Sequence, residues 1–530
     1  QLTLASANSL YLKRVRCLDT ESKQAITLTS AAHTFPYRNA VLRFLHSGAW
    51  GHDVWNGLEL CGAFHLPQEM AEVPLVKRLA VKHLLASPEI ANRIKYTPAT
   101  LPPALIGYSQ HRGHRVPVYL PYATLFSHKF LVARSRYGKS TLIQLQLWAA
   151  MQEVHNGSLQ PGIFCIDPHR DLIEDVLALI ALLPPHRAQD VLLLDLTDTQ
   201  RPVALSPLDA SMGFTRDQAV ANLMSSFERI WHDFWGPRMA YFLRNVCLLL
   251  YTLNERLVQE GRADEQFTLL DINPLLRYED YALLVLNQLD MSETWHQELL
   301  AWWKNTYFTL PKNSSFRQEV ILPILSKMGV FNDNQQLRRI VGQPVTRAPI
   351  HEAVTAGKIV LCALSSRDMD DAAVNILGST LINLLRRSFR LQEAVPFHER
   401  RKVFLAIDEF QAFSGADIGK LLSEDSKFGC AALLATQFLK QLNTVREGLL
   451  DTVLGNCENL CAFNVSASDA KILEEELQKK VSQKHIISQP RLHCYARLAI
   501  PDEPLQIVSV ALASPPSWKR TPAQNARIQA

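Results

Sequence analysis

The sequence predicts an α/β protein with a sheet of about eight strands, which is interrupted by an inserted all-α domain. Short apolar runs alternate with helical segments before position 210 and again after position 340, as is typical of parallel strands covered on both faces. Between those positions the periodicity is helical throughout, so we expect the insertion there. A chain of 530 residues is long enough to form two or three domains.

We divide the chain into six segments. They are a small N-terminal α/β region (1–66), a linker with strands that lead to the sheet domain (67–127), the first part of the sheet domain (128–209), the all-α insertion (210–340), the second part of the sheet domain (341–512) and a tail (513–530). The strand-like runs of the sheet are the one ending at Ala133, and then 162–167, 191–196, 358–364, 403–408, 431–437, 460–465 and 506–512. In the N-terminal region, β-like runs at 11–17 and 25–28 precede a helical pattern at 37–46.

The composition is that of an ordinary soluble globular protein, with 47% hydrophobic and 20% charged residues. A net charge of +4 permits nucleic acid as a partner without arguing for it. No run reaches 18 apolar residues, so we expect no membrane span in this chain. The nine cysteines are scattered, and Cys457 and Cys461 lack the second pair or nearby histidine of a zinc site, which predicts buried, reduced thiols in a cytosolic protein.

A strand, a loop and a helix follow one another at 128–146, which is the order that a phosphate-binding loop requires. The loop carries Gly138-Lys139-Ser140-Thr141, and unpaired N–H groups with the positive end of the helix dipole would bind phosphates there. Lys139 would add a charge for the β and γ phosphates, and the Ser140 hydroxyl would complete the shell of a Mg²⁺ ion. The predicted nucleotide-binding residues are Ala133, Arg134, Ser135, Arg136, Tyr137, Gly138, Lys139, Ser140 and Thr141.

Because short motifs recur by chance, this loop needs partner motifs, and two strand ends supply them. Asp408 and Glu409 follow five apolar residues, at the strand end where α/β sheets place their ligand chemistry. Asp408 would hold Mg²⁺ through water, and Glu409 would polarise the attacking water as general base. Gln437 ends the next strand, where its amide would sense the γ-phosphate or orient water; the alternative is an ordinary strand-end polar residue. Together they predict a P-loop NTPase that uses ATP and Mg²⁺, with Lys139, Glu409 and Gln437 as catalytic residues and Ser140 and Asp408 as metal ligands.

Two other features have two interpretations each. The basic cluster at 111–115 favours a solvated loop over a DNA contact. The insertion is rich in aromatic residues, which favours core packing over base stacking. These residues are Trp231, Phe234, Trp235, Trp302 and Trp303.

Several separated motifs, always in the same order, resemble those of the HerA/FtsK superfamily of P-loop ATPases. The motifs are Ile166-Asp167-Pro168-His169-Arg170-Asp171-Leu172, the runs 190–195 and 205–209, Trp235-Gly236-Pro237-Arg238 with Leu243-Arg244-Asn245, the run 337–343, the run 463–470 and the N-terminal run 59–67. Within that superfamily they are most similar to the TraD/TraG-like coupling proteins of type IV secretion and conjugation.

This resemblance implies a RecA-like motor with an all-α insert, which works as a hexameric ring and threads DNA through its centre. Such a motor is an ATP hydrolase and DNA translocase that hydrolyses ATP at subunit boundaries with Mg²⁺. The implied partners are single- or double-stranded DNA, further copies of this chain, and a secretion or nuclease protein. The implied location is the cytoplasm or the cytoplasmic face of the inner membrane. Carried over by position, Lys139, Ser140, Asp408, Glu409 and Gln437 fall on the family's nucleotide-binding and catalytic places.

The sequence departs from the family pattern at the loop glycines, where Ala133 and Arg136 stand, and after Asp-Pro-His, where Arg170 replaces a glycine. Relatives also carry an arginine, before the glycine that precedes the Gln strand, which is thought to reach the ATP of the neighbouring subunit. Here Ser426 takes that position, so turnover would be slower unless Lys427 or another arginine substitutes.

Arg338 and Arg339 are the other candidates for this cation, and an ordinary surface role is equally open for them. Two further hypotheses about function remain beside the DNA motor. One is an ATP-binding scaffold with weak hydrolysis, and the other is a secretion ATPase that acts on protein substrates.

Overall fold

The fold is given by a computed structural model, which describes residues 13–18, 25–29, 82–96, 103–111, 114–152, 159–311, 314–367 and 369–516. The predicted helical pattern at 37–46, the family motif at 59–67 and most of the tail lie outside the described residues. The chain divides into two compact units, Gln1–Ala80 and Val81–Ala530. In the first unit, strands β1 (Lys13–Leu18) and β2 (Ala25–Thr29) pair antiparallel, at the β-like runs of the sequence.

The second unit is built on one sheet of eleven strands. The strands are β3 (Ala104–His111), β4 (His114–Leu120), β5 (Lys129–Val132), β6 (Gly162–Asp167), β7 (Val191–Asp195), β8 (Ile359–Ala363), β9 (Val403–Ile407), β10 (Cys430–Thr436), β11 (Asn459–Ala462), β12 (His493–Leu498) and β13 (Gln506–Leu512). Their order across the sheet is β4-β3-β13-β12-β11-β5-β10-β9-β6-β8-β7. Neighbours from β11 to β7 pair parallel, whereas β12, β13, β3 and β4 form an antiparallel extension.

The predicted α/β class is confirmed, but the predicted count of about eight strands is too low, because β3, β4 and β12 were left out. All three belong to the antiparallel extension, where strands mix polar with apolar residues instead of forming continuous apolar runs. The prolines at 98, 102 and 103, which precede β3, gave this stretch the character of a linker. Arg115 of the basic cluster lies 3.7 Å from the centre of the Tyr108 ring on the paired strand, while Arg112 and Gly113 lie outside the described residues.

Nineteen α-helices are present in the described part of the chain. Those before the insertion are α1 (Pro88–Tyr96), α2 (Tyr122–Leu125), α3 (Lys139–Met151), α4 (Asp171–Ile180) and α5 (Pro185–Ala188). The insertion holds α6 (Arg216–Ile230), α7 (Pro237–Gln259), α8 (Ile272–Arg277), α9 (Glu279–Leu286), α10 (Thr294–Trp302), α11 (Ser315–Asp333) and α12 (Gln335–Val341). The rest are α13 (Ile350–Ala356), α14 (Asp371–Leu391), α15 (Ile418–Ser423), α16 (Leu439–Val445), α17 (Leu449–Asn456), α18 (Ala467–Glu476) and α19 (Gln483–Ile487).

Helices cover both faces of the sheet, and every residue of the central strands β9 and β10 is therefore buried. On β9, Phe404 packs into one core with α3 and α4, while Leu405 packs into the other core with α14 and the insertion. The buried residues of the insertion therefore continue one face of the sheet and do not form a separate core. The boundaries proposed for the six segments remain predictions.

The aromatic residues of the insertion mostly pack inside, as expected. Trp303 is fully buried, Trp231 is buried, and Trp235 and Trp302 are partly buried against the same core. Phe234 is the exception, with 71% of its surface exposed. Seven of the nine cysteines have described side chains, and all seven are free and buried, which agrees with the predicted reduced thiols. Among the described helices, none has the length and apolar character that crossing a membrane requires.

Candidate nucleotide-binding site

The loop between β5 and α3 is held by backbone hydrogen bonds at the carboxyl edge of the sheet. The N–H of Ala133 donates to the carbonyl oxygen of Thr436 at 3.2 Å, and the N–H of Arg134 donates to that of Asn464 at 2.9 Å. These contacts place the start of the loop between the ends of β10 and β11. Arg134, Ser135 and Arg136 then project as exposed residues.

Gly138 allows the chain to turn into helix α3. Its φ is +116°, and a Cβ atom here would lie 3.2 Å from the side chains of Leu492, Leu512 and Phe463. Helix α3 begins at Lys139. As in any α-helix, the N–H groups of its first turn have no intrahelical acceptor, and here no side chain caps them. Together with the helix dipole, these groups form an anion-binding position.

At two positions where the family pattern has glycine, this chain has an arginine with a positive φ. Arg136 has φ +67° and Arg170 has φ +70°, which is the left-handed region that L side chains rarely adopt. Both loops therefore adopt, at an arginine, a backbone conformation that favours glycine. Arg170 pairs with Asp195 at 2.9 Å, whereas Arg136 is exposed.

Lys139 joins the phosphate loop to the acidic strand end. Its side chain is buried, its Nζ lies 2.7 Å from Asp408 Oδ1, and it also contacts Glu409 Oε1. Burial alone would lower the pKa of Lys139, but the two carboxylates outweigh it and raise the pKa above 10.5. The side chain is therefore a protonated ammonium held between two acids.

The acidic pair stands at the end of β9, whose five residues are all buried. Asp408 extends the strand pairing, because its N–H donates to the carbonyl oxygen of Ile166 at 3.0 Å. Burial raises the pKa of Asp408, and the charge of Lys139 opposes that rise. Glu409 then turns into the left-handed region at φ +41°, and Gln411 Nε2 donates to its Oε2 at 2.6 Å.

A third carboxylate, Asp167, lies at the end of the adjacent strand β6 and was not among the predicted site residues. Its oxygens accept from the N–H groups of His169 at 2.9 Å and Leu172 at 2.8 Å. Burial raises its pKa to about 6, although both hydrogen bonds act in the other direction. The signal in the sequence was an acid directly after an apolar run, as at Asp408.

Gln437 connects to the phosphate loop from the end of β10. Its Oε1 accepts a hydrogen bond from the Ser135 hydroxyl at 3.0 Å. Because β10 lies between β5 and β9, the amide stands between the loop and the acidic pair. Ser140 and Thr141 are half-buried in the first turn of α3, and the carbonyl oxygen of Tyr137 accepts from the N–H of Leu492 at 2.9 Å.

A cavity of about 630 Å³ opens on the same edge of the sheet. Its walls include Glu409 and Gln437, His169 from the loop after β6, and the carboxyl end of α6 from the insertion. Glu409 and Gln437 therefore face a space that the insertion also lines, whereas Lys139 is not among its lining residues.

The segment that contains Ser426 lies at the other, amino edge of the sheet, directly before β10. Its carboxylate Asp425 pairs with Arg386 Nε at 2.7 Å, and Arg400 donates to the carbonyl oxygen of Lys427 at 2.7 Å. Lys427 is exposed, and its ammonium has no ion-pair partner within the described residues. Strand β10 has seven residues, so Lys427 and Gln437 are separated by about 20 Å of strand.

The two alternative arginines lie elsewhere. Arg338 and Arg339 are exposed on α12, and Arg339 donates to the carbonyl oxygen of Thr199 at 3.0 Å. This contact is consistent with a surface role, and a catalytic role for either residue stays untested.

Solved structures share this fold. The plasmid coupling protein TrwB in complex with an ATP analogue superposes with a TM-score of 0.54 at 16% identity, covering 82% of this chain and 95% of that one. TrwB in complex with ADP and Mg²⁺ gives 0.53 at 16% identity over 83% and 96%. VirB4 of Thermoanaerobacter pseudethanolicus gives 0.52 at 13% identity over 78% and 97%.

No known family model matches the sequence, and no curated protein does either. At these identities the structural similarity establishes the fold alone. The chain thus has the RecA-like P-loop fold of the coupling protein TrwB.

Proposed function

We propose that this chain is an ATP-hydrolysing motor that moves DNA through a ring of its own copies. The observation that carries the proposal is the buried ammonium of Lys139 in contact with both Asp408 and Glu409, beside the uncapped start of α3. A cation, a pair of acids and an anion-binding helix start are the components that phosphoryl transfer requires. TrwB has been solved with ADP and Mg²⁺, which supports ATP and Mg²⁺ as the cofactors here.

The residues present fit a nucleotide with its metal ion. The N–H groups at the start of α3 have no side-chain cap and can donate to phosphate oxygens, and two buried acids contact Lys139 in the same turn. Ser140 and Asp408 would hold Mg²⁺, which neutralises phosphate charge when bound. Lys139 would turn from the acids to the phosphates, because a negatively charged ligand competes with the carboxylates for its ammonium.

The remaining residues, Glu409 and Gln437, would orient the attacking water and contact the γ-phosphate. Once Lys139 turns away, Glu409 Oε1 is free to accept a proton from the attacking water. Gln437 would hold that water or the γ-phosphate through its amide, which is neutral and does not compete for the proton. The Ser135–Gln437 hydrogen bond supports this role, because it ties the amide to the phosphate loop.

The proposed ring rests on the distance between the amino and carboxyl edges of the sheet within one chain. Lys427 lies about 20 Å of strand away from the candidate site of its own chain, so its charge would act only on a neighbouring copy. DNA in the centre of the ring, a hexameric state, a secretion or nuclease partner and a location in the cytoplasm or at the cytoplasmic face of the inner membrane belong to the same proposal.

The test is ATP hydrolysis by the purified protein, alone and with single- or double-stranded DNA. We expect DNA to stimulate hydrolysis, with a steep salt dependence because backbone contacts release counterions. Glu409→Gln should lower turnover about 10²- to 10⁴-fold, as expected for loss of a general base, and leave ATP binding intact. Hydrolysis that responds to a protein substrate but to neither form of DNA would instead favour the secretion ATPase.

The scaffold with weak hydrolysis is the second candidate, and Ser426 favours it because no arginine stands at the finger position. Under that alternative, ATP would drive assembly without efficient turnover. Glu409→Gln would then change neither activity nor assembly, whereas Lys139→Ala would abolish assembly. Sedimentation with and without ATP distinguishes the two.

A further inference from the structure

We infer that Gln411 is a positioning residue, which holds the carboxylate of Glu409 in place for catalysis; this inference rests on the proposed ATPase function. Gln411 Nε2 donates to Glu409 Oε2 at 2.6 Å, and Lys139 contacts the other oxygen, Oε1. Each oxygen of the candidate general base therefore has its own partner.

The two partners differ in how easily they leave. Lys139 has a flexible stem and a charge that phosphates attract, so its contact with Glu409 is exchangeable. Gln411 is neutral and stands two residues from Glu409 on a short 3₁₀ turn, Phe410–Phe413. Phe410 packs edge-on against Phe130 of β5, with ring centres 6.2 Å apart, and Phe413 is fully buried.

This turn is fixed from a second side. A Cβ added at Gly378 of α14 would lie 2.2 Å from the Phe413 ring, so helix and turn are packed as closely as a glycine allows. The backbone that carries Gln411 is therefore held between β5 and α14. When Lys139 leaves Oε1, the amide keeps Oε2 in place and fixes the direction in which Oε1 points.

The hydrogen bond also explains which way the amide of Gln411 faces. Its Nε2 must face the carboxylate, because only the nitrogen can donate. Its Oε1 is buried and has no hydrogen-bond partner in the described part of the chain. An unpaired buried carbonyl is unfavourable, so the amide gains little from this orientation except the contact with Glu409.

The experiment measures single-turnover hydrolysis at saturating ATP and Mg²⁺, together with the dissociation constant for ATP. Gln411→Met removes the donor at nearly constant volume, and we expect the rate constant of the chemical step to fall about 10- to 100-fold with ATP affinity unchanged. Gln441→Met is the matched control, because Gln441 lines the same cavity without a described contact to Glu409. It should leave both quantities unchanged.

Gln411→Glu gives a signature that a packing role would not produce. At neutral pH the introduced carboxylate repels Glu409, whereas at lower pH the protonated carboxyl group donates a hydrogen bond to it. The ratio of the variant rate to the wild-type rate should therefore rise as the pH falls. A ratio that stays flat, or a Gln411→Met rate equal to wild type, overturns the inference. Absence of hydrolysis in the wild-type protein overturns the proposed function, and the inference with it.

Discussion

Two buried ion pairs lie at the two edges of the central sheet, and the closest atoms of each pair are 2.7 Å apart. Arg386 meets Asp425 at the amino edge, and Lys139 meets Asp408 at the carboxyl edge. Their surroundings differ. Arg386, on α14, forms an ion pair with one carboxylate. Lys139 contacts two, and the second of them, Glu409, lines the cavity. The first pair can only hold a segment in place, whereas the second can exchange partners when an anion binds.

The largest expected effect is the loss of the pair at the amino edge. Arg386→Met leaves the fully buried Asp425 without its closest cation, which should cost about 3–5 kcal/mol of unfolding free energy. Urea denaturation of the single variant measures this cost. Adding Asp425→Leu should recover most of it, because no unpaired charge remains. Equal stability of the single and double variants would mean that the pair is not a structural clamp.

The carboxyl edge differs further in holding Asp167, a buried acid whose bonding partners are N–H groups instead of a cation. Its folded-state pKa of about 6 lies above the usual 3.8, so the folded protein binds this proton more tightly than the unfolded chain does. The resulting stability is complete below about pH 3.8 and is lost as the pH rises through 6, by as much as about 3 kcal/mol. Asp167→Asn should flatten that slope in urea titrations from pH 4 to 7, while Asp171→Asn, an exposed acid, should retain it.

Much of the carboxyl edge could be predicted from the sequence, because its strands are continuous apolar runs that end in a polar residue. That pattern gave β9 with Asp408 and Glu409, and β10 with Gln437. The missed strands β3, β4 and β12 are mixed in polarity, and their pairing depends on partners distant in sequence. The same holds for Lys139, which contacts an acid 270 positions away. Gln411 lies only two positions from Glu409, but its hydrogen bond depends on the conformation of the 3₁₀ turn that carries it, which no motif in the sequence indicates.

A smaller effect is expected from Lys427, the exposed cation that the amino edge presents. Lys427→Ala should lower ATP turnover about 10- to 100-fold, less than the 10³-fold or more of an arginine finger, because an ammonium lacks the bidentate fork. Mixing it with Lys139→Ala subunits should restore activity, since mixed rings then contain interfaces with both groups intact. Lys420→Ala, which removes a surface lysine paired with Asp417, is the control that should not need complementation.

The smallest expected effect returns to the phosphate loop, where Arg136 holds a left-handed backbone. A non-glycine residue pays about 1–2 kcal/mol for that conformation, and glycine loses about 0.5–1 kcal/mol of chain entropy, so Arg136→Gly should stabilise the protein by about 0.5–1 kcal/mol. Arg134→Gly is the matched control, since Arg134 is also exposed but is not among the residues with positive φ, and it should destabilise by about 0.5–1 kcal/mol. Arg170→Gly should gain less than Arg136→Gly, because it also loses the ion pair with Asp195. If Arg136→Gly destabilised the protein as much as Arg134→Gly, the side chain of Arg136 would have to stabilise the loop by more than its backbone conformation costs.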